Sequence, residues 1–124
     1  MPTIHVVLVE DDTFLATIYK TKFEMEGFKV TLATDGETAL IEIKKKKPDI
    51  VLLDILLPRL DGFTVLTRLK QDKSTVTIPV IILTNLGQKE DVAKGLDLGA
   101  ADYLIKAHFR PTEIVEKVNQ VLGR

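Results

Sequence analysis

A chain of 124 residues is long enough to bury roughly two thirds of its unfolded surface around one core, and so to fold without disulfide or metal staples. Its 45% apolar and 28% charged residues exclude general disorder, and 17 basic against 18 acidic side chains, a net charge of -1, exclude the electrostatic footprint of a dedicated nucleic-acid binder. No cysteine is present, which excludes disulfides, thiolate catalysis and cysteine-held zinc and leaves only hard, oxygen-bound metals.

The start, Met1-Pro2-Thr3-Ile4-His5, lacks the basic and long apolar regions of a signal peptide, and no apolar run reaches membrane-spanning length, so the cytoplasm is the expected compartment. Residues 4–9 read as a first strand. A first helix is expected over about 13–25, with Phe14, Leu15, Ile18 and Tyr19 on its apolar face and Gly27 at its end, where a left-handed residue costs least. Residues 28–33 read as the second strand, and Asp35 can cap a second helix that carries Ala39, Leu40 and Ile43 and stops before Pro48. Lys44, Lys45, Lys46 and Lys47 are read as its solvated end, where cations complement the helix dipole, rather than as a phosphate or nucleic-acid patch.

Residues 50–53 form the third expected strand, and a third helix carries Phe63, Leu66 and Leu69 and finishes near Lys73. After a fourth strand at 80–83, a fourth helix carries Val92 and Leu96 and closes at Gly99. A short fifth strand at 103–105 precedes the last helix, where Pro111 suits the first turn and Ile114, Val115, Val118, Val121 and Leu122 form one stripe ending at Gly123. Apolar β-branched runs alternating with helical patterns are the βαβ signature of a parallel α/β sheet covered by helices on both faces. No Pro/Ser/Gly linker, repeat or low-complexity segment divides the chain, so residues 1–124 are expected to be one domain, with any output module outside this chain.

Ligands of open parallel sheets bind beyond the carboxyl ends of the strands, where the winding reverses. The residues expected there are Glu10, Asp11 and Asp12 after the first strand, Asp54 after the third, Thr84 and Asn85 after the fourth, and Lys106 after the fifth. Asp54 interrupts the apolar run from Ile50 to Leu57. A carboxylate costs several kcal/mol to desolvate, so Asp54 is a candidate nucleophile, with a turn residue as its local alternative. The triplet Glu10-Asp11-Asp12 alone would be a solvated helix start.

Together, Glu10, Asp11 and Asp54 would put three carboxylates in one pocket, and two such charges at ~4 Å repel by about 4 kcal/mol at an effective dielectric near 20. A cation is needed, and an all-oxygen site with few protein ligands suits Mg²⁺, with Lys106 balancing the remaining charge. His5, in the first strand, and His108, in a loop, fit no catalytic pattern and read as structural or solvated.

The strings Val7-Leu8-Val9-Glu10-Asp11-Asp12, Leu53-Asp54-Ile55-Leu56-Leu57-Pro58-Arg59-Leu60-Asp61-Gly62, Leu83-Thr84 and Tyr103-Leu104-Ile105-Lys106 resemble the response-regulator receiver domain, in order and over essentially the whole chain. The resemblance implies a flavodoxin-like (βα)5 fold, a doubly wound five-stranded sheet of order 2-1-3-4-5. It implies a phosphoacceptor of a two-component or phosphorelay system, with Asp54 taking a phosphoryl group from a sensor histidine kinase or histidine phosphotransfer protein with Mg²⁺. Asp11 would ligate the metal directly, Glu10 through water, and Asp54 and the backbone carbonyl of Leu56 would complete the site, while Thr84 and Lys106 grip the phosphoryl oxygens.

Thr84 and Tyr103 match the family's switch pair, in which the hydroxyl moves to the phosphoryl group and the ring turns inward. The fourth helix, fifth strand and fifth helix would then present a changed surface to a downstream protein or to a second copy. The resemblance implies no direct contact with nucleic acid, no membrane insertion and no enzyme activity beyond self-phosphotransfer and slow dephosphorylation.

The chain departs from the family pattern at Asn85, where a small residue usually follows the switch Thr, and at Ala107, where a Pro commonly follows the Lys through a cis bond. A cis bond before Ala costs about 3 kcal/mol, so a trans bond and a different path over residues 107–110 are expected. Asn85 and the apolar Leu56 are expected to set the lifetime of the phosphorylated state. The competing reading is a Mg²⁺-dependent phosphatase with an aspartyl nucleophile, which usually needs a second acid where Leu56 stands. A flavodoxin-like cofactor binder would need a Gly/Ser/Thr-rich loop after the first strand, where this chain has acids.

Overall fold

β-branched runs flanked by turn residues pair here as parallel strands, and the helices between them cover both faces. The computed structural model describes residues 2–124. The strands are β1 (His5–Val9), β2 (Lys29–Ala33), β3 (Ile50–Leu53), β4 (Val80–Thr84) and β5 (Asp102–Ile105), and they lie in the order β2-β1-β3-β4-β5. Expected and observed strand ends agree to within one residue, with Ile4 and Phe28 just outside and Thr84 and Asp102 just inside. β1 is an interior strand, with Val7 set between Thr31 of β2 and Val51 of β3.

Successive strand side chains alternate between two cores. Val6, Leu8, Ile50, Leu52, Ile81, Leu83 and Leu104 pack against α1 (Thr13–Met25) and α5 (Pro111–Val121), through Tyr19, Phe23, Ile114, Val115 and Val118. Val7, Val9, Val51, Leu53, Val80, Ile82 and Tyr103 pack on the other face against α2 (Gly36–Lys46), α3 (Gly62–Gln71) and α4 (Lys89–Asp97). The chain winds outward from β1 in both directions, so the connections leaving the paired carboxyl ends of β1 and β3 run to opposite faces of the sheet and open a crevice between them.

Side-chain caps fix three helices at that same end of the sheet. Asp12 accepts the N–H groups of Phe14 and Leu15, Asp35 that of Thr38, and Asp61 that of Thr64. The acidic triplet therefore divides: Asp12 caps α1, Asp11 is exposed and Glu10 is buried.

The first helix buries only part of the face expected, Tyr19 fully and Leu15 in part, and is turned so that Phe14 and Ile18 leave it. Ala16, Tyr19 and Phe23 point inward, whereas Phe14 is 73% exposed and Ile18 is also on the solvent side. The small Ala16 lets the helix approach the sheet closely, and Phe23 meets Phe28 edge to face at 5.1 Å, which rotates the outer apolar pair to the surface. In α4, likewise, Gly95 is the buried residue and Leu96 is exposed. Lys106 to His108 form a single 3₁₀ turn, entered through a trans bond between Lys106 and Ala107 as expected.

Candidate functional site

Four strand ends converge on the crevice, and those of β1 and β3 do so by continuing their ladders. The N–H of Glu10 donates to the Ala33 carbonyl, extending the β1–β2 pairing, and the N–H of Asp54 donates to the Val9 carbonyl, extending β3 along β1. Both side chains are then held within the fold, with Glu10 1% and Asp54 5% exposed. Asp54 Oδ1 accepts the N–H groups of Ile55 at 2.7 Å and Leu56 at 3.2 Å, so the backbone fixes one oxygen. Its Oδ2 accepts from Lys106 Nζ at 2.7 Å, and the same ammonium lies 2.5 Å from Glu10 Oε1. Glu10 Oε2 accepts the N–H of Asp12 at 3.1 Å.

Asp11 brings a third carboxylate, and one oxygen from each of Glu10, Asp11 and Asp54 lies within 4.8 Å of the others. One ammonium pairs with two of the three carboxylates, and burial and pairing together set the direction in which each buried group is shifted. Burial pushes the Glu10 carboxyl above its ordinary value, more than its bonds to Lys106 and Asp12 pull it down. Burial alone would lower Lys106, but its bonds to Asp54 and Glu10 outweigh that effect and raise it. The two directions are consistent, because the lysine has two anionic partners and the glutamate has one cationic partner. Clustered hard oxygens with excess negative charge fit a small divalent cation, and the donor set contains no soft ligand.

The loop from Asp54 to Gly62 is held against the start of α3, where the Gly62 N–H donates to the Ile55 carbonyl at 2.9 Å. A Cβ on Gly62 would fall 2.2 Å from the Asp54 carbonyl oxygen and 2.7 Å from Ile55 Cα, so this helix start can approach the Asp54 loop only as glycine. Leu56, 59% exposed, lines the crevice together with Leu15, Asn85 and Lys106.

Thr84 ends β4 fully buried, and its Oγ1 accepts the Leu86 N–H at 3.3 Å. Tyr103 lies inward, and its hydroxyl donates to the carbonyl of the same Leu86. Burial, followed by the charges of Asp91 and Asp54, raises its phenol to about 12. Asn85 Oδ1 accepts the Ala107 N–H at 3.1 Å.

All the residues expected at the site are thus brought to one end of the sheet: Glu10, Asp11, Asp54, Leu56, Asn85 and Lys106 line the crevice, with Thr84 and Tyr103 beside it. His5 sits at the opposite end of β1, with Nε2 2.8 Å from Thr31 Oγ1, and His108 is exposed. The lysine run is exposed, and Lys44 pairs with Asp72 at 3.4 Å. Three residues escaped the sequence reading. Leu86 acts through its backbone, which leaves no side-chain signal. Gly62 and Gly95 had one, an isolated glycine at a helix start or interior that a close approach explains.

Among known proteins, the profile of the response regulator receiver domain matches residues 6–119. The chain is 40% identical over its whole length to the DNA-binding dual master transcriptional regulator RpaA of a Synechocystis species, and covers 50% of that protein. It thus spans about half the length of the curated relatives it matches. A solved receiver domain of the Francisella response regulator 1452 superposes with a TM-score of 0.88 at 36% identity, covering 96% of each chain. The receiver domain of sensor histidine kinase PA1611 from Pseudomonas aeruginosa, solved with magnesium coordinated in its active-site cleft, gives 0.89 at 28% identity, over 99% of this chain and 100% of that one.

Proposed function

Because the chain belongs to the response regulator receiver domain family, we propose that it is a phosphoacceptor that takes a phosphoryl group onto Asp54 from a phosphohistidine donor and so switches a protein-binding surface. The observation that carries this reading is Lys106 bridging Asp54 and Glu10 beside the Asp11 carboxylate. A carboxylate oxygen of Asp54 attacks phosphorus as the P–N bond of the donor breaks; the electron pair returns to the imidazole nitrogen, which takes a proton from solvent. Asp54 is a nucleophile when ionised, so the step needs no separate base. Glu10, Asp11, Asp54 and the Leu56 backbone carbonyl would hold Mg²⁺, which when bound neutralises charge on the transferring phosphoryl oxygens. Lys106 and Thr84 take the remaining oxygens.

The exposed Leu56 lines the acidic crevice, and Phe14, two residues beyond the crevice residue Asp12, is exposed as well; such apolar surface supports a protein donor, a sensor kinase or a histidine phosphotransfer protein. As Thr84 turns to the phosphoryl group it releases the Leu86 N–H, and the linked Tyr103 carries the change to α4, β5 and α5, where an effector protein or a second copy docks. The name of the Synechocystis relative suggests an output at DNA, and the net charge of -1 supports these 124 residues making no direct contact with nucleic acid themselves. Among the described residues no helix is long and apolar enough to cross a membrane, which suits a receiver working in the cytoplasm. Leu56, where an aspartyl phosphatase would hold its second acid, supports slow self-dephosphorylation rather than turnover.

The test is intact mass after exposure to a small acyl phosphate, with and without Mg²⁺, on the parent and Asp54→Asn. A metal-dependent gain of one phosphoryl group by the parent alone is expected. A parent that gains none, or an Asp54→Asn chain that gains as much, overturns the proposal.

A further inference from the structure

Lys106 touches both buried carboxylates, yet it stands where the sheet stops supporting it. The β4–β5 ladder ends at the pair Thr84 and Ile105, β5 is an edge strand, and Lys106 begins the 3₁₀ turn beyond it. A lysine side chain has four rotatable carbons, so the position of its ammonium depends on how firmly its backbone is held. Past the ladder, the bond from the Ala107 N–H to Asn85 Oδ1 at 3.1 Å ties this turn to the β4 side. The two residues that depart from the family pattern are thus donor and acceptor of one bond. Ala107 can donate because it is not proline, which has no N–H.

We propose that Asn85 is a positioning residue for Lys106. Its side-chain carbonyl replaces the missing ladder bond and clamps the Lys106–His108 turn to the strand that carries Thr84, so that the ammonium reaches Asp54 and Glu10 together. With its carbonyl oxygen held by Ala107, Asn85 keeps its N–H donors for the crevice it lines, the polarity that phosphoryl oxygens require. This role rests on the phosphoacceptor reading, and its test separates the two.

Amide hydrogen exchange at Ala107 and the NMR signals of the Lys106 side chain report the clamp in the unphosphorylated protein. Asn85→Ala is expected to speed Ala107 exchange by roughly two- to tenfold, the range of one net hydrogen bond, and to shift the Lys106 signals. Asn85→Asp, which keeps the acceptor, restores slow exchange. In phosphorylation by a small acyl phosphate with Mg²⁺, Asn85→Ala slows the parent by a similar factor and has no further effect in an Ala107→Pro background, where the donor is already gone. A phosphorylated parent in which Asn85→Ala leaves exchange, Lys106 signals and rate unchanged overturns the inference alone, as does a variant that alters only the decay of phospho-Asp54. A parent that accepts no phosphoryl group overturns the phosphoacceptor reading itself.

Discussion

Two carboxylates on one buried ammonium make Lys106 the residue whose loss the site tolerates least. Removing one partner of a buried ion pair strands the other charges, so Lys106→Met is expected to lower stability by about 3 kcal/mol at neutral pH without divalent metal. The pH dependence follows from the raised Glu10 carboxyl. A group that binds its proton more tightly folded than unfolded destabilises the fold as it ionises, so stability returns as pH falls through the raised value. Urea unfolding of parent and variant at pH 7 and pH 5, with and without Mg²⁺, should show the gap narrowing with acid or with metal. A constant gap across all four conditions would mean that Lys106 contributes only packing.

At the scale of elements, the start of α3 fixes the loop that carries Asp54, the proposed acceptor. Gly62→Ala drives a methyl group into backbone, which cannot rotate away, and overpacking of this kind costs about 1–3 kcal/mol. It is expected to slow Asp54 phosphorylation as well as to destabilise. Wild-type phosphorylation in a destabilised variant would show that the loop adjusts without moving the carboxylate.

The C-terminal end of the same helix gives a second prediction. Asp72 Oδ1 accepts both the N–H and the hydroxyl of Ser74, and those bonds hold its carboxyl down to about 2. A depressed folded value stabilises above the unfolded value and is lost as pH falls through the folded one. The difference in urea midpoint between the parent and Asp72→Asn should therefore be full at pH 6 and shrink between about pH 4 and 2. A difference that stays constant over that window assigns Asp72 no such role.

The strands, the cap Asp35 and the crevice residues were legible because each rests on a local pattern or on a residue that ends a strand, whereas Asp12 read only as part of an acidic helix start and not as the cap it is. The inward face of α1 was not, since Phe14 and Ile18 complete a better apolar stripe than Ala16 does. Gly62 and Leu86 were hidden for a related reason: their partners are backbone atoms of other segments, and a side-chain pattern does not encode them.

For the molecule as a whole, the proposed switch would depend on how Tyr103 is held. Leu86 joins the two residues of the proposed switch, with its N–H on Thr84 and its carbonyl on Tyr103, and Gly95 of α4 gives the ring its space. A Cβ at Gly95 would lie 2.6 Å from Ile82 Cδ1 and 2.8 Å from Tyr103 Cδ2. The isoleucine methyl can turn aside; the ring can yield only by rotating outward and giving up its bond to Leu86. Ala gains about 1 kcal/mol over Gly in a helix, which offsets much of the packing cost, so Gly95→Ala should fold with near-parent stability while shifting Tyr103 toward solvent. The ring itself provides the readout. Burial holds the Tyr103 phenol up at about 12, so ultraviolet titration of Gly95→Ala should show one of the two tyrosines falling toward its ordinary value of 10.0. Phosphorylation at Asp54 should continue, because Gly95 touches none of the crevice, whereas phosphorylation-dependent binding at α4, β5 and α5 should weaken: a ligand shifts two states only by its difference in affinity for them, and the variant has moved their starting ratio. Parent-like titration of Tyr103 in a folded Gly95→Ala chain would show that the ring does not depend on this space, and the coupling from Thr84 through Leu86 would then have to reach the surface by another route.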